Sequence, residues 1–129
     1  MKYSFNKAEK LTDLRVIKQL FESGKSFNAY PLKLIVTENK SDTDTPFKIL
    51  IVAPKRNLNL AVHRNKVKRQ LREAYRLNKS IIYSIDLNNK KYNLAFIYLA
   101  KTLVPYHQIN EKTINLLHLF NKYHLKNVG

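Results

Sequence analysis

The stretch "KRNLNLAVHRNKVKRQLREAYR", Lys55 to Arg76, carries eight Lys or Arg among twenty-two residues and one acid, Glu73. At 100° per residue on a helix, Arg64, Lys68, Arg72 and Arg76 fall on one continuous stripe with Arg69 at its margin. Val67, Leu71 and Ala74 take the neighbouring arc. A solvated helix intersperses acids at i,i+4 among its cations, and here only Glu73 is available. The stripe is therefore read as uncompensated. Its chemistry is that of phosphate binding, in which each contact releases counterions and affinity falls by roughly 0.7 to 0.9 log units per contact per decade of salt. Lys55, Arg56 and Lys66 extend the same positive field. Asn65, between Arg64 and Lys66, has two readings: it caps the first helical turn, or it contacts a sugar or base.

Hydrolytic chemistry by the protein itself finds fewer candidates. A two-metal nuclease needs several carboxylates converging on ions about 3.5 to 4 Å apart. Asp42 and Asp44 share one loop, Asp86 lies in another connection, and Glu73 is surrounded by bases. The spacing of His63, His107, His118 and His124 matches no metal-ligand pattern, which favours surface or interface roles for them. Two glycines cannot build a glycine-rich phosphate loop, and no Ser or Cys stands in a nucleophile motif. No catalytic residue and no protein-borne metal site is expected.

The composition sets limits on the partner and the compartment. The chain has 129 residues, the size of one domain, and 24 Lys and Arg against 9 Asp and Glu give +15. That self-repulsion opposes folding unless a polyanion neutralises it, which points to nucleic acid. A hydrophobic content of 44%, with eight Tyr and six Phe, indicates a folded core rather than a basic tail. The absence of cysteine removes disulfides and thiolate zinc sites and suits the cytoplasm. "MKYSFNKAEKLTDLR" lacks the apolar run of a signal peptide, and no eighteen apolar residues are consecutive, so neither export nor a membrane partner is expected.

The elements that must position the stripe follow from periodicity. Thr12 caps and Gly24 ends a first helix over 12–23, with Leu14, Ile17, Leu20 and Phe21 as its apolar face. "PLKLIVTE" and "FKILIVAP" read as two strands paired across the loop "NKSDTDTP". A helical period runs from His63 through Asn78 and, less regularly, through "SIIYSI". "YNLAFIYLA" is a third strand, and Asn110 caps a last helix that buries Ile114, Leu117 and Phe120. The order is αββαβα, an α+β sandwich with a small mixed sheet packed by helices. Phe27 and Lys33, with Ala29 and Pro31 between them at alternating positions, can line a face where a base stacks. Phe5 and Tyr30 are close in sequence. Phe21 and Phe120 are read as core.

The motif "AVHRNKVKRQLREAYR" resembles the signature of the bacterial ribonuclease P protein family, an Arg-Asn-x-x-Lys-Arg-x-x-Arg-Glu core formed here by Arg64, Asn65, Lys68, Arg69, Arg72 and Glu73. The likeness extends through "FNKAEKL", "LFESGKSF", "IVAPKRNLNLAVHRN" and "LAFIYLA" in order. The chain departs from the family pattern at "FKILIVAP", His63 and Lys66, and none of these removes positive charge from the stripe. The resemblance implies an α/β sandwich with a left-handed βαβ crossover, against the usual right-handed rule. It implies that the chain is the protein subunit of a ribonucleoprotein. Lys55, Arg56, Arg64, Asn65, Lys66, Lys68, Arg69, Arg72 and Arg76 would contact the catalytic RNA. Phe5, Phe27, Tyr30 and Lys33 would line a cleft for the 5′ leader of precursor tRNA. The RNA would hold Mg²⁺ and hydrolyse the phosphodiester, with no obligate protein partner. Two other readings of the charge remain: a structural RNA-binding module such as a ribosomal protein, and a self-sufficient ribonuclease working through His and Lys.

Overall fold

The computed structural model describes residues 7–41 and 44–128. A single 3₁₀ turn, Lys7–Glu9, precedes α1 (Leu14–Ser23), β1 (Lys25–Ala29), β2 (Leu32–Glu38), β3 (Phe47–Val52), α2 (Ala61–Asn78), α3 (Ser80–Tyr83), β4 (Tyr92–Tyr98) and α4 (Tyr106–Val128). The sheet order is β1-β2-β4-β3, with β4 antiparallel to β2 and parallel to β3. The parallel pair needs a crossover, which α2 and α3 supply. The α+β class and the mixed sheet are as expected.

The strand pairing is not. "PLKLIVTE" and "FKILIVAP" do not form a hairpin, because β4 lies between them. Every residue of β4 is buried, as a strand covered on both faces must be. Reaching β4 from β2 closes a loop several times longer than a hairpin would, at an extra cost of about 2 kcal/mol. Burying one further large apolar side chain contributes a comparable amount, about 1.5 to 3 kcal/mol, and β4 buries several. β4 therefore takes a central place in the sheet, where all of its residues are buried. β1 was missed because "KSFNA" is short and half polar; it pairs with β2 through a turn at Tyr30 and Pro31.

Helix ends also moved. Asp13, not Thr12, caps α1, its carboxylate accepting from the Arg15 N–H at 3.0 Å. Gly24 ends α1 as expected, with its N–H on the Leu20 carbonyl at 2.9 Å. Its φ of −71° requires no glycine, but a Cβ there would lie 2.3 Å from Ile35 Cγ2. Close packing of α1 on β2 selects the residue. "SIIYSI" does not prolong α2 but forms the separate short helix α3. α4 starts directly after Pro105, so Asn110 caps nothing and instead accepts from Asn78 Nδ2 at 2.8 Å.

The sheet has a core on each face. Leu34, Phe47, Leu94 and Phe96 meet Val67, Leu71, Tyr75, Leu117 and Phe120 of α2 and α4. On the other face α1 drives only Leu20 fully inward, against Leu11, Ile35, Ala95 and Ile97. Phe120 is core as expected. Phe21 is not: it lies 100° round α1 from Leu20 and is 45% exposed. Ile114 is only half-buried.

A buried ion pair ties the N-terminal segment to the crossover. Glu9 and Lys79 are 3% and 4% exposed, with Lys79 Nζ 2.7 Å from Glu9 Oε1. Tyr75 and Tyr83 hydroxyls donate to Glu9 Oε2 at 3.1 and 2.9 Å. Burial pushes both phenols above the ordinary tyrosine value, so they remain donors. Removing one member of such a pair costs about 3 to 5 kcal/mol, because the other charge is left buried alone. K79M is therefore expected to lower the urea midpoint strongly, and E9Q/K79M, which keeps a carbonyl for the tyrosines, to recover part of the loss. Equal midpoints for the two variants would contradict the charge pairing.

Candidate nucleic-acid interface

Helix α2 buries Val67, Leu71, Ala74 and also Tyr75, which is fully covered in reaching Glu9. Tyr75 shares its azimuth with Arg64 and Lys68, so the buried arc is wider on that side than the pattern of Val67, Leu71 and Ala74 indicated. The stripe is rolled as a result. Asn65, Lys66, Arg69 and Arg72 are exposed, while Arg64, Lys68 and Arg76 are half-buried. Arg69, placed at the margin by the sequence, lies near the middle of the exposed arc.

Two of the eight cations have work inside the protein. Arg64 Nη1 donates to the carbonyls of Leu58 and Asn59 at 2.9 and 3.0 Å, fastening the loop that enters the helix. Arg76 grips Glu73 through two guanidinium nitrogens, Nε at 3.0 Å from Oε2 and Nη2 on Oε1. The hydrogen bond from Arg76 holds the Glu73 carboxyl below its ordinary value. Lys55, Arg56, Lys66, Lys68, Arg69 and Arg72 make no ion pair with a described carboxylate. Asn65 does not cap α2, whose N-cap is Leu60 without a side-chain bond.

The surroundings of α2 add to this surface. The chain before α1 runs along the free edge of β3, where Lys10 pairs with Ile49 and the Leu11 N–H donates to the Ile49 carbonyl at 3.0 Å. A groove of about 170 Å³ there has Lys10 on one wall and Arg72 on the other. The C-terminal ends of β3 and β4 and the start of β2 lie at one end of the sheet. Asn57 Nδ2 fastens the entry loop to that end through the Tyr98 carbonyl at 3.0 Å. Lys55 and Arg56, exposed in that loop, are thus brought to the same end as Tyr30 and Lys33. Tyr30 is 67% exposed in the β1–β2 turn.

Phe27 and Lys33 do not share a face. The chain reverses at Tyr30–Pro31, so the alternation does not run on from β1 into β2. Phe27 stands opposite Leu34, and Lys33 opposite Asn28. Phe27 therefore points with Leu34 into the α2–α4 side, where its ring meets Tyr123 edge-on at 5.6 Å. Lys33 lies on the α1 side with Ile35. Phe5 and Asp42 are outside the described residues. The exposed aromatic that sequence reasoning missed is Phe21, on α1; its adjacency to Leu20 was the available signal, since neighbours on a helix cannot both face the sheet.

Among the described residues the histidines and aspartates do not converge on one site. His107 and His118 are exposed and His63 half-buried. His124, expected at a surface or interface, is instead fully buried. Its Nε2–H donates to the Asp86 carbonyl at 2.9 Å, so Nδ1 accepts from the Tyr92 hydroxyl at 2.6 Å. Burial pushes Tyr92 up to about 12 and keeps its hydroxyl protonated for that bond. Asp44 is exposed in its loop, and the Asp86 carboxylate accepts from the Asn88 N–H at 2.9 Å. Among the described residues no three His, Asp or Glu are placed to hold a metal ion, and no helix is long and apolar enough to cross a membrane.

A family model described as Ribonuclease P matches residues 5–123. The Ribonuclease P protein component of Porphyromonas gingivalis is 30% identical over 108 residues, covering 83% of this chain and 79% of the relative. That of Thermotoga maritima is 32% identical over 122 residues, covering 91% and 96%. The solved RNase P protein from Thermotoga maritima superposes with a TM-score of 0.66 at 27% identity, over 84% of this chain and 94% of that one. The Staphylococcus aureus RNase P protein shares the fold, with a TM-score of 0.68 at 24% identity over 88% and 95%.

The two kinds of cation on α2 separate experimentally. R64A loses two hydrogen bonds to loop carbonyls and is expected to destabilise the protein by about 1 to 2 kcal/mol, whereas R69A leaves the thermal midpoint within a degree. A midpoint for R64A equal to that of R69A would show that Arg64 does not hold the loop.

Proposed function

The chain belongs to the ribonuclease P protein family, and from that premise we propose that it is the protein subunit of the ribonucleoprotein that removes 5′ leaders from precursor tRNA in the cytoplasm. The observation that carries this reading is the set of six cations on α2 and its entry loop with no described acidic partner. Lys66, Lys68, Arg69 and Arg72 project from a helix whose roll is held by Tyr75 and Glu9, so little backbone ordering is left to the binding step. Phosphates of the catalytic RNA take Lys55, Arg56, Lys66, Lys68, Arg69 and Arg72. Arg64 positions the loop that presents Lys55 and Arg56, and Asn65, exposed on the same arc, is free to reach a sugar or base.

The leader follows the end of the sheet that carries Tyr30 and Lys33, next to Lys55 and Arg56. There a base stacks on Tyr30, and the lysines neutralise phosphates. Phe27 has no part in that path, since it faces the other side of the sheet. The protein neutralises and orients both RNAs, while the catalytic RNA holds Mg²⁺ through its own phosphates and breaks the bond. By lowering the repulsion between two polyanions, the subunit reduces the Mg²⁺ the reaction needs.

Reconstitution tests the reading. Added to its cognate RNA at low Mg²⁺, the protein is expected to restore 5′ cleavage of precursor tRNA, and without RNA to cleave nothing. K66A/R69A/R72A is expected to lower the salt slope of RNA binding by roughly 2 to 3, three contacts at about 0.7 to 0.9 each, with an unchanged thermal midpoint. RNA binding without rescue of cleavage would make the chain a structural RNA-binding module instead. Cleavage by the protein alone would make it a self-sufficient nuclease.

A further inference from the structure

A wide groove lies at the opposite edge of the sheet from α2. It has a volume of about 730 Å³ and runs between the edge strand β1 and the C-terminal half of α4. Its floor is apolar, formed by Phe27, Leu119 and Tyr123, and Lys25, Lys122 and Lys126 stand around it. The three lysines are exposed and come from two elements, and none makes an ion pair with a described carboxylate. Lys126 alone fits an ordinary structural role, as the basic residue of the last helical turn facing the negative end of the helix dipole. That role does not extend to Lys25, which is on a strand, or to Lys122.

We propose that this groove holds an unpaired stretch of the catalytic RNA, as a second contact that acts together with α2. The inference rests on the reading above that the chain binds that RNA. Single-stranded nucleic acid is held where a positive rim follows the backbone and aromatic rings receive base faces. Both parts are present. Phe27 and Tyr123 are half-buried and meet edge to face at 71°, so the edge of one ring covers a single face of the other and the remaining faces are not spent on each other. A duplex hides its base faces, so the occupant is unpaired. A second copy of the chain is a poor occupant, because each carries +15 and the groove offers it three more positive charges. β1 and β3 are the two edges of the sheet, so one RNA engaged at both sites must embrace the protein. The second contact is then made at high effective concentration.

Lysine acetylation footprinting of the intact protein with the catalytic RNA, without substrate, is the test. Lys25, Lys122 and Lys126 are expected to be protected together with Lys66 and Lys68. K25A/K122A/K126A is expected to lower the salt slope of binding by about 2, three single-strand contacts at roughly 0.7 each, with an unchanged thermal midpoint. Wild-type protein that binds the RNA while the three groove lysines stay reactive and the variant keeps the full slope would overturn the groove assignment and leave the α2 interface standing. Absence of RNA binding by wild-type protein would instead overturn the reading on which the inference rests. Protection of the groove lysines by an amphipathic Asp- and Leu-rich peptide, and not by RNA, would make the groove a protein-docking surface.

Discussion

The carboxylate of Glu9, buried beside Lys79 and bonded by Tyr75 and Tyr83, sets the attitude of the basic face of α2. A buried charge left unpaired is costly, so Glu9, Lys79 and both phenols must meet. Meeting them fixes the chain before α1 against the junction of α2 and α3. It also turns Tyr75 inward, and with it the side of α2 that carries Arg64 and Lys68. Arg69, Arg72 and Lys66 are consequently turned outward. The cationic surface is the complement of a buried polar cluster on the same helix.

Around that constraint the fold divides its labour between charge and apolar area. The interior draws on β2, β3, β4, α2 and α4 for most of its large side chains, and α1 adds little more than Leu20. The surface keeps most of the +15, of which Arg64 and Arg76 are the members of the basic stretch engaged inside the protein. Such a field weakens the compact state of the isolated chain, and a polyanionic partner relieves it.

The sequence pattern made the long middle helix, the third strand and the last helix with its core residues Leu117 and Phe120 legible, because each has a strong period or a long apolar run. The strongly basic character of 55–76 was legible because one acid cannot balance eight bases. What escaped depended on contacts distant in sequence. The pairing of β2 with β4 was set by competition for the centre of the sheet, and no local signal records it. β1 was too short and polar to be seen, and with it went the reversal that puts Phe27 and Lys33 on opposite faces. The roll of α2 depended on Tyr75 finding Glu9, 66 residues away, and this moved Arg69 to the centre and Arg64 into the loop. Phe21 and His124 failed in opposite directions, one read as core and exposed, the other read as surface and fully buried.

The chain has no cysteine, so a single cysteine can carry an RNA-cleaving reagent to one chosen place. Arg69→Cys and Lys66→Cys put the reagent on the outward arc of α2, and Ser84→Cys puts it at the exposed end of α3. Tethered iron chelates on the three proteins, each bound to the catalytic RNA, are expected to cut that RNA strongly from positions 66 and 69 and weakly or not at all from position 84. Equal cutting from all three, or cutting from position 84 alone, would contradict the account that Glu9 and Tyr75 roll the basic face of α2 toward the RNA.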